Sequence, residues 1–313
     1  MPSLLTRYGV VLLVAAIVAA LPYIVPTSFY LRVAALVFIF SIAVLGINLL
    51  MGFAGQVSLG HAGFFGIGAY AVAVLPTHFA VPTWIAFIIG IVVAGALAFV
   101  IGRPILKLKG HYLAVATLGM GILIAMVFTN EARFTGGPDG MPVPRLILFG
   151  WRARGSEAWY WISGVTLVLA TLLTANLIDS PTGRALRAIH DSEVASRVLG
   201  VDVARYKLIA FVLSAVYTAI AGAYLALFDG LVTPGTAGFM RSIEFVAMAV
   251  LGGLGSIFGS IVGAALLTIL PQMLTVFHDY EHIALGAIMI VCMIFLRAGI
   301  VPSIATFFRR SAS

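Results

Sequence analysis

The sequence predicts an all-α polytopic membrane protein: one transmembrane domain, residues 1–313, built from about ten helices. Three observations carry that expectation. First, 62% of the 313 residues are apolar and 9% are charged, and the mean hydropathy is +1.14, far outside the range of soluble domains. Second, a bilayer crossing needs about 20 mostly apolar residues, so a chain of this length holds about ten crossings and little else. Third, the charges gather in short polar stretches between apolar runs, the longest of them Gly183–Lys207. In such a chain a net charge of +7 is topology information and not a nucleic-acid footprint. One cysteine, Cys292, and six scattered histidines leave no metal-ligand cluster and no intrachain disulfide.

Taken in order, spans are expected near Tyr8–Val25, Leu31–Met51, Val57–Leu75, Pro82–Gly102 and His111–Thr129. Five more are expected near Ala158–Ile178, Leu208–Phe228, Ile243–Phe258, Gly259–Phe277 and Ile283–Val301. The N-terminal run is long and lacks a small-residue cleavage site, so it reads as a retained first helix and not a signal peptide. The third, eighth and ninth spans are interrupted by glycine. With the N-terminus inside, twelve of the basic residues fall on the cytoplasmic side and six outside, the bias expected for a membrane protein with both termini cytoplasmic.

Spans two to five (about 31–129) and seven to ten (about 208–301) then run in opposite senses and form candidate inverted copies. Each copy carries a glycine-broken stretch, Gly52–Tyr70 and Leu251–Ala265. Broken backbone in a membrane is tolerated where it is buried in protein or lines a watery cavity. The plain alternative is close helix packing through small residues such as Gly259 and Gly263. In the first stretch Gln56, Ser58 and His61 cluster among the glycines and favour a pathway.

The polar run 183–207 reads as a short amphipathic helix. Leu186, Ile189, Val194, Val198 and Leu199 recur at roughly helical spacing, and Gly200 ends the pattern as a C-terminal cap does. Its apolar stripe must be buried, against lipid headgroups or against a soluble partner.

At these residues a resemblance becomes specific. The block GINLLMGFAGQVSLGHAGFFGIGAYAVAVL (Gly46–Leu75) resembles the signature of membrane permease subunits of branched-chain amino acid ABC transporters, of the LivM type. The stretches Phe134–Met141, Gly183–Phe211 and Ser242–Pro271 agree in order and spacing. The resemblance implies a permease of the ABC importer type with an inverted repeat, translocating leucine, isoleucine or valine across the bacterial inner membrane. It further implies two ATP-binding subunits that hold the ATP and magnesium, a second related permease, and an external or periplasmic solute-binding protein. No lysine here sits in a GxxxxGK[ST] loop, so no ATP chemistry and no catalytic residue is expected in this chain. Asp191, Glu193, Val194, Arg197, Val198, Leu199, Gly200 and Asp202 fit the loop that such permeases insert into an ATPase groove.

Individual polar residues carry two readings each. Asn48 lines the path or bonds a neighbouring helix. His61 caps backbone carbonyls or takes part in gating. Glu244 meets a helix N-terminal dipole, or faces the α-amino group of a substrate. Ser58 and Gln56 go with the pathway, and Asp229 beside Gly230 reads as a helix boundary. The alternatives are a urea, short-amide or broader amino-acid permease and, in another class, an ion-coupled secondary transporter. The latter needs buried carboxylates, which are absent from mid-span positions. A membrane enzyme would need a catalytic constellation around His111 or His190, and none is present in the sequence.

Overall fold

The computed structural model of the chain describes residues 4–24, 27–148, 151–153, 155–274, 286 and 299–303. Helix α1 (Leu4–Ile24) leads to α2 (Ser28–Asn48), which runs on through a π-helical turn at Leu49–Phe53. Helices α3 (His61–Phe79), α4 (Thr83–Ile105) and α5 (His111–Asn130) follow. A polar excursion then holds the short α6 (Ala132–Thr135) and a 3₁₀ turn at Gly137–Asp139, where Gly136, Gly137 and Gly140 all take positive φ. Tight turns at these positions follow from the freedom of glycine to take positive φ. Strand β1 (Met141–Pro142) pairs antiparallel with β4 (Leu231–Val232), and β2 (Ile147–Leu148) with β3 (Trp151–Arg152). Then come α7 (Gly155–Asp179), α8 (Pro181–Asp191), α9 (Glu193–Val198) and α10 (Val203–Asp229). After a 3₁₀ turn at Pro234–Ala237 the chain closes its described part with α11 (Phe239–Gly252) and α12 (Ile257–Leu274).

Among the described residues, six helices are long and apolar enough to cross a membrane: α2 with its π-helical extension, α3, α4, α5, α7 and α10. They are the second to seventh expected spans. The third starts at His61 and not at Val57, because the chain between Gly55 and Gly60 is not helical. The eighth differs most. With 14 residues, α11 is about 21 Å long, short of a hydrocarbon core of about 30 Å. The glycines at its end stop it. The ninth begins at Ile257, two residues early, and takes Gly259 and Gly263 into its first turns. The tenth, Ile283–Val301, falls almost wholly outside the described residues.

Helices α2 and α10 form the centre. Helix α2 is apolar all round and buried along most of its length, as such a helix must be inside a bundle. It packs on α7, α10 and α12, while α10 packs on α2, α3 and α4. The α3–α10 approach is made by glycine: a Cβ at Gly68 would strike the backbone of Ala219, and one at Gly222 the backbone of Phe65. One end of the bundle gathers Arg103, Lys107, Lys109 and α8–α9; the other gathers Arg32, Arg145 and Asp229.

The polar run 183–207 is not one helix. Ser192 takes extended backbone (φ −161°, ψ 112°), ends α8 and caps α9 by accepting from the Ala195 amide at 3.2 Å. This elbow splits the apolar stripe. Leu186 and Ile189 on α8 are buried, whereas Val194, Val198 and Leu199 are 69%, 83% and 80% exposed.

Candidate functional site

Where α2 ends, the backbone leaves helical geometry, and its polar groups need partners inside an apolar bundle. Gly55 takes φ +66°, a left-handed turn that only glycine adopts freely. The Gln56 amide returns to the Leu50 carbonyl at 3.0 Å, and the Leu59 amide donates to Thr117 Oγ1 of α5 at 3.1 Å. The Ala62 amide, in the first turn of α3, donates to Ser242 Oγ of α11 at 3.1 Å. Gln56, Ser58 and His61 are all buried. Gln56 Nε2 donates to the Ala54 carbonyl at 3.0 Å. His61 does not cap a carbonyl. Its Nδ1 lies 2.8 Å from Ser58 Oγ, its ring stands edge-on to Phe64 and Phe211, and its Nε2 is buried with no hydrogen-bond partner among the described residues.

Asn48 takes the helix-bonding arrangement. Its Nδ2 donates to the Ser256 carbonyl at 2.8 Å and to Ser260 Oγ at 2.6 Å, and its Oδ1 accepts from the Gly255 amide at 2.8 Å. Gly52 beside it lies against the Gly255 backbone. The two glycine-broken stretches, some 200 residues apart in sequence (|i−j| of 207 for Asn48 and Gly255), therefore meet in space. Within the second stretch Gly252 and Gly259 press together and Gly263 presses on the Met248 carbonyl, so close α11–α12 packing is what those glycines provide.

Glu244 lies beyond the first turn of α11 and does not serve its N-terminus. Its Oε2 accepts from Arg241 at 2.6 Å, one turn away, and it lines a cavity between α2, α10, α11 and α12 with Phe40, Met248 and Thr268. Asp229 ends α10, where Gly230 takes φ +73°, and stands 3.7 Å from Arg32.

The segment α8–α9 is anchored at both ends. Arg187 Nη2 donates to the Ile178 carbonyl at the end of α7 at 2.6 Å. His190 stands so near the broken segment that a Cβ at Gly55 would lie 3.0 Å from its Nδ1. Helix α9 ends in a Schellman motif: the Gly200 amide donates to the Arg197 carbonyl, the Val201 amide to the Ser196 carbonyl, and Gly200 takes φ +81°. The cap expected at Gly200 is there. Asp202 Oδ1 then accepts from the Arg205 amide at 3.1 Å and starts α10. Asp191 is exposed at the end of α8.

Lys207 is expected from the sequence only as a basic residue that leads into the following span; its burial and its pairing with Glu193 are not anticipated. Its side chain is 3% exposed and pairs with Glu193 Oε1, while Arg197 stands 3.7 Å from Glu193 Oε2. Burial raises the Glu193 carboxyl pKa, but the Lys207 ammonium, the nearby Gln56 amide and the charge of Lys109 outweigh it and hold the group below the usual glutamate range. A lone lysine four residues into an apolar helix, with a glutamate opening the preceding one, is the signal available in the sequence: a buried cation must be paired.

Over residues 29–293 the chain matches the family described as branched-chain amino acid transport system / permease component. It is 33% identical over 294 residues to the high-affinity branched-chain amino acid transport system permease protein LivM of Escherichia coli (strain K12), covering 86% of this chain and 69% of that protein. It is 27% identical over 285 residues to the corresponding LivH of the same strain, covering 83% of this chain and 90% of that one. To BraD of Pseudomonas aeruginosa it is 26% identical over 281 residues, with 83% and 91% covered. No solved structure matches.

Proposed function

Because the chain belongs to the family of branched-chain amino acid transport permease components, we propose that it forms part of the membrane channel of an ATP-driven importer for leucine, isoleucine and valine. Its work is vectorial translocation with no covalent chemistry. The observation that carries this reading is the family match along most of the chain, together with a helix that leaves its apolar face open beside the broken membrane segment. In this reading two ATP-binding subunits hold the ATP and magnesium, a second related permease completes the channel, and an external binding protein delivers the solute. The chain lies in the bacterial inner membrane with both termini and α8–α9 cytoplasmic. In this reading about ten helices enter the membrane, α11 as a short one, with an inverted repeat of about 31–129 and 208–301.

The coupling helix is α9. Val194, Val198 and Leu199 enter a groove of the ATPase, Arg197 and Asp191 set its register, and Gly200 and Asp202 turn the chain back into the membrane. Movement of α9 passes to α10 through the Glu193–Lys207 pair and to the broken segment through His190 and Gly55. That segment, with Gln56, Ser58 and His61, is the gate of the pathway, closed in this conformation. Asn48 latches it to the second glycine break, and Glu244 faces the solute from the cavity at α11.

The test is affinity purification of the tagged chain from its own membranes in mild detergent, followed by reconstitution in liposomes. Copurification of an ATP-binding subunit and a related permease, with ATP-dependent uptake of leucine and none of urea, is expected. A chain that purifies alone and carries leucine without ATP overturns the reading.

A further inference from the structure

At the end of the bundle that carries α9, a cavity of 790 Å³ opens between the last turn of α4, the turn after it, α9 and the start of α10. Six basic side chains and two carboxylates line it. Lys207 and Arg197 both face Glu193, and Asp202 is engaged with the Arg205 amide. Arg103, Lys107, Lys109 and Arg205 remain. All four are exposed, and none is in direct ion-pair contact with a carboxylate among the described residues, the charge of Lys109 reaching Glu193 only at longer range. Cations scattered over loops by the positive-inside bias alone need share no concavity; these surround one whose floor is apolar, made by Leu106, Val203 and Leu208. Arg103 is held at the rim, its guanidinium 4.3 Å from the centroid of the Phe99 ring.

The outer face of α4 leads into this cavity. Ile88, Val92, Ala96 and Phe99 lie one above another at helical spacing, all exposed, and the next position on the stripe is Arg103. An apolar stripe that ends in a cluster of unpaired cations has the two chemistries of a phospholipid in the right order.

We infer that this cavity binds the phosphate of an anionic phospholipid headgroup, with an acyl chain lying along the α4 stripe. Arginine and lysine supply the charge-assisted donors that a phosphodiester accepts, and basic pockets between membrane helices collect such headgroups. The inference needs only that α4 lies in a bilayer and is independent of the role given to α9. A bound headgroup would tie the end of α4 to the start of α10, beside the Glu193–Lys207 pair.

Native mass spectrometry of the full-length chain in detergent tests it, with dioleoylphosphatidylglycerol, dioleoylphosphatidylcholine and inorganic phosphate as probes. The wild type is expected to retain phosphatidylglycerol at least about tenfold better than phosphatidylcholine, and phosphate at equal concentration is expected not to displace it. R103Q/K107Q should weaken phosphatidylglycerol retention about thirtyfold, from two lost cation contacts. The control R133Q/R145Q, at the other end of the bundle, should leave it unchanged. Should R103Q/K107Q fail to give a monodisperse protein, R205Q alone is read instead, with a loss of about fivefold. Equal retention of the two lipids, or no response to these substitutions, overturns the inference. Displacement by phosphate makes the cavity a soluble-anion site and overturns the lipid assignment. Loss of ATP-binding subunits on copurification, with lipid retention unchanged, assigns the surface to a protein partner and overturns it too.

Discussion

Residues 54–61 bury Gln56, Ser58 and His61, whereas α9, packed beside them, leaves Val194, Val198 and Leu199 in the open. Each segment breaks the ordinary rule for where side chains go, in opposite senses. Apart from His61 Nε2, the polar side chains of the first are answered within the chain, Gln56 by Ala54 and Ser58 by His61, and its backbone by Thr117 and Ser242. The apolar face of the second is answered by nothing among the described residues. The difference separates a segment whose requirements are met at home from one whose requirements point outward. It also locates the join between them at Glu193, which opens α9 and is held by the Lys207 ammonium and by the nearby Gln56 amide.

If the comparison is right, V194D/L199D weakens capture of the ATP-binding subunit by at least about a hundredfold, since apolar anchors at an interface centre dominate binding. Its thermal unfolding in detergent should stay within about 0.5 kcal/mol of wild type. A large drop in stability would mean that the stripe is packed within the fold, and the contrast would fail.

Next in size is K207M. Removing one member of a buried pair destabilises by about 3–5 kcal/mol; with 23% of the Glu193 side chain still exposed, about 2–3 kcal/mol is expected here. K207M/E193L should recover most of that loss in the same unfolding assay. No recovery would make Lys207 a packing residue and remove the join.

The same pair sets a pH dependence. Glu193 titrates below its ordinary value of 4.5, so its contribution is present above that pH and is lost as pH falls through the depressed folded value. Wild type should therefore lose stability relative to K207M as the pH is lowered below about 4.5, and parallel profiles would contradict the pairing.

The smallest effect is S58A, about 1 kcal/mol for one buried hydrogen bond to His61. Against it, V198A on the exposed face should change stability by less than about 0.5 kcal/mol. Equal values for the two would erase the contrast.

Much of this architecture is legible from composition. Apolar runs of bilayer length locate α2, α3, α4, α5, α7 and α10 to within a few residues, and the glycines of 136–140 and Gly200 mark turns that are present. The elbow at Ser192 is less legible, although it leaves a trace: the step from Ile189 to Val194 is five positions, one more than a stripe on a continuous helix allows. Three features depend on distant parts of the chain and leave no periodic signal. The Asn48 bonds need α12, the Ala62 cap needs α11, and the burial of Lys207 needs α9 to fold back over the start of α10. Glu244 misled for a local reason, because Arg241 one turn earlier competes for its charge more effectively than the helix end does.

The glycine contacts between α3 and α10 have a mechanical meaning. At Gly68 and Gly222 the two backbones touch with no side chain between them, so there is no cushion to shear and no slack to absorb a displacement. The two helices are in effect a single strut. Its lower end is pinned to α9 at Lys207, and its upper end carries Asp229 and the strand pair at Leu231–Val232. In the proposed importer, movement of α9 is carried along this strut to the opposite end of the bundle.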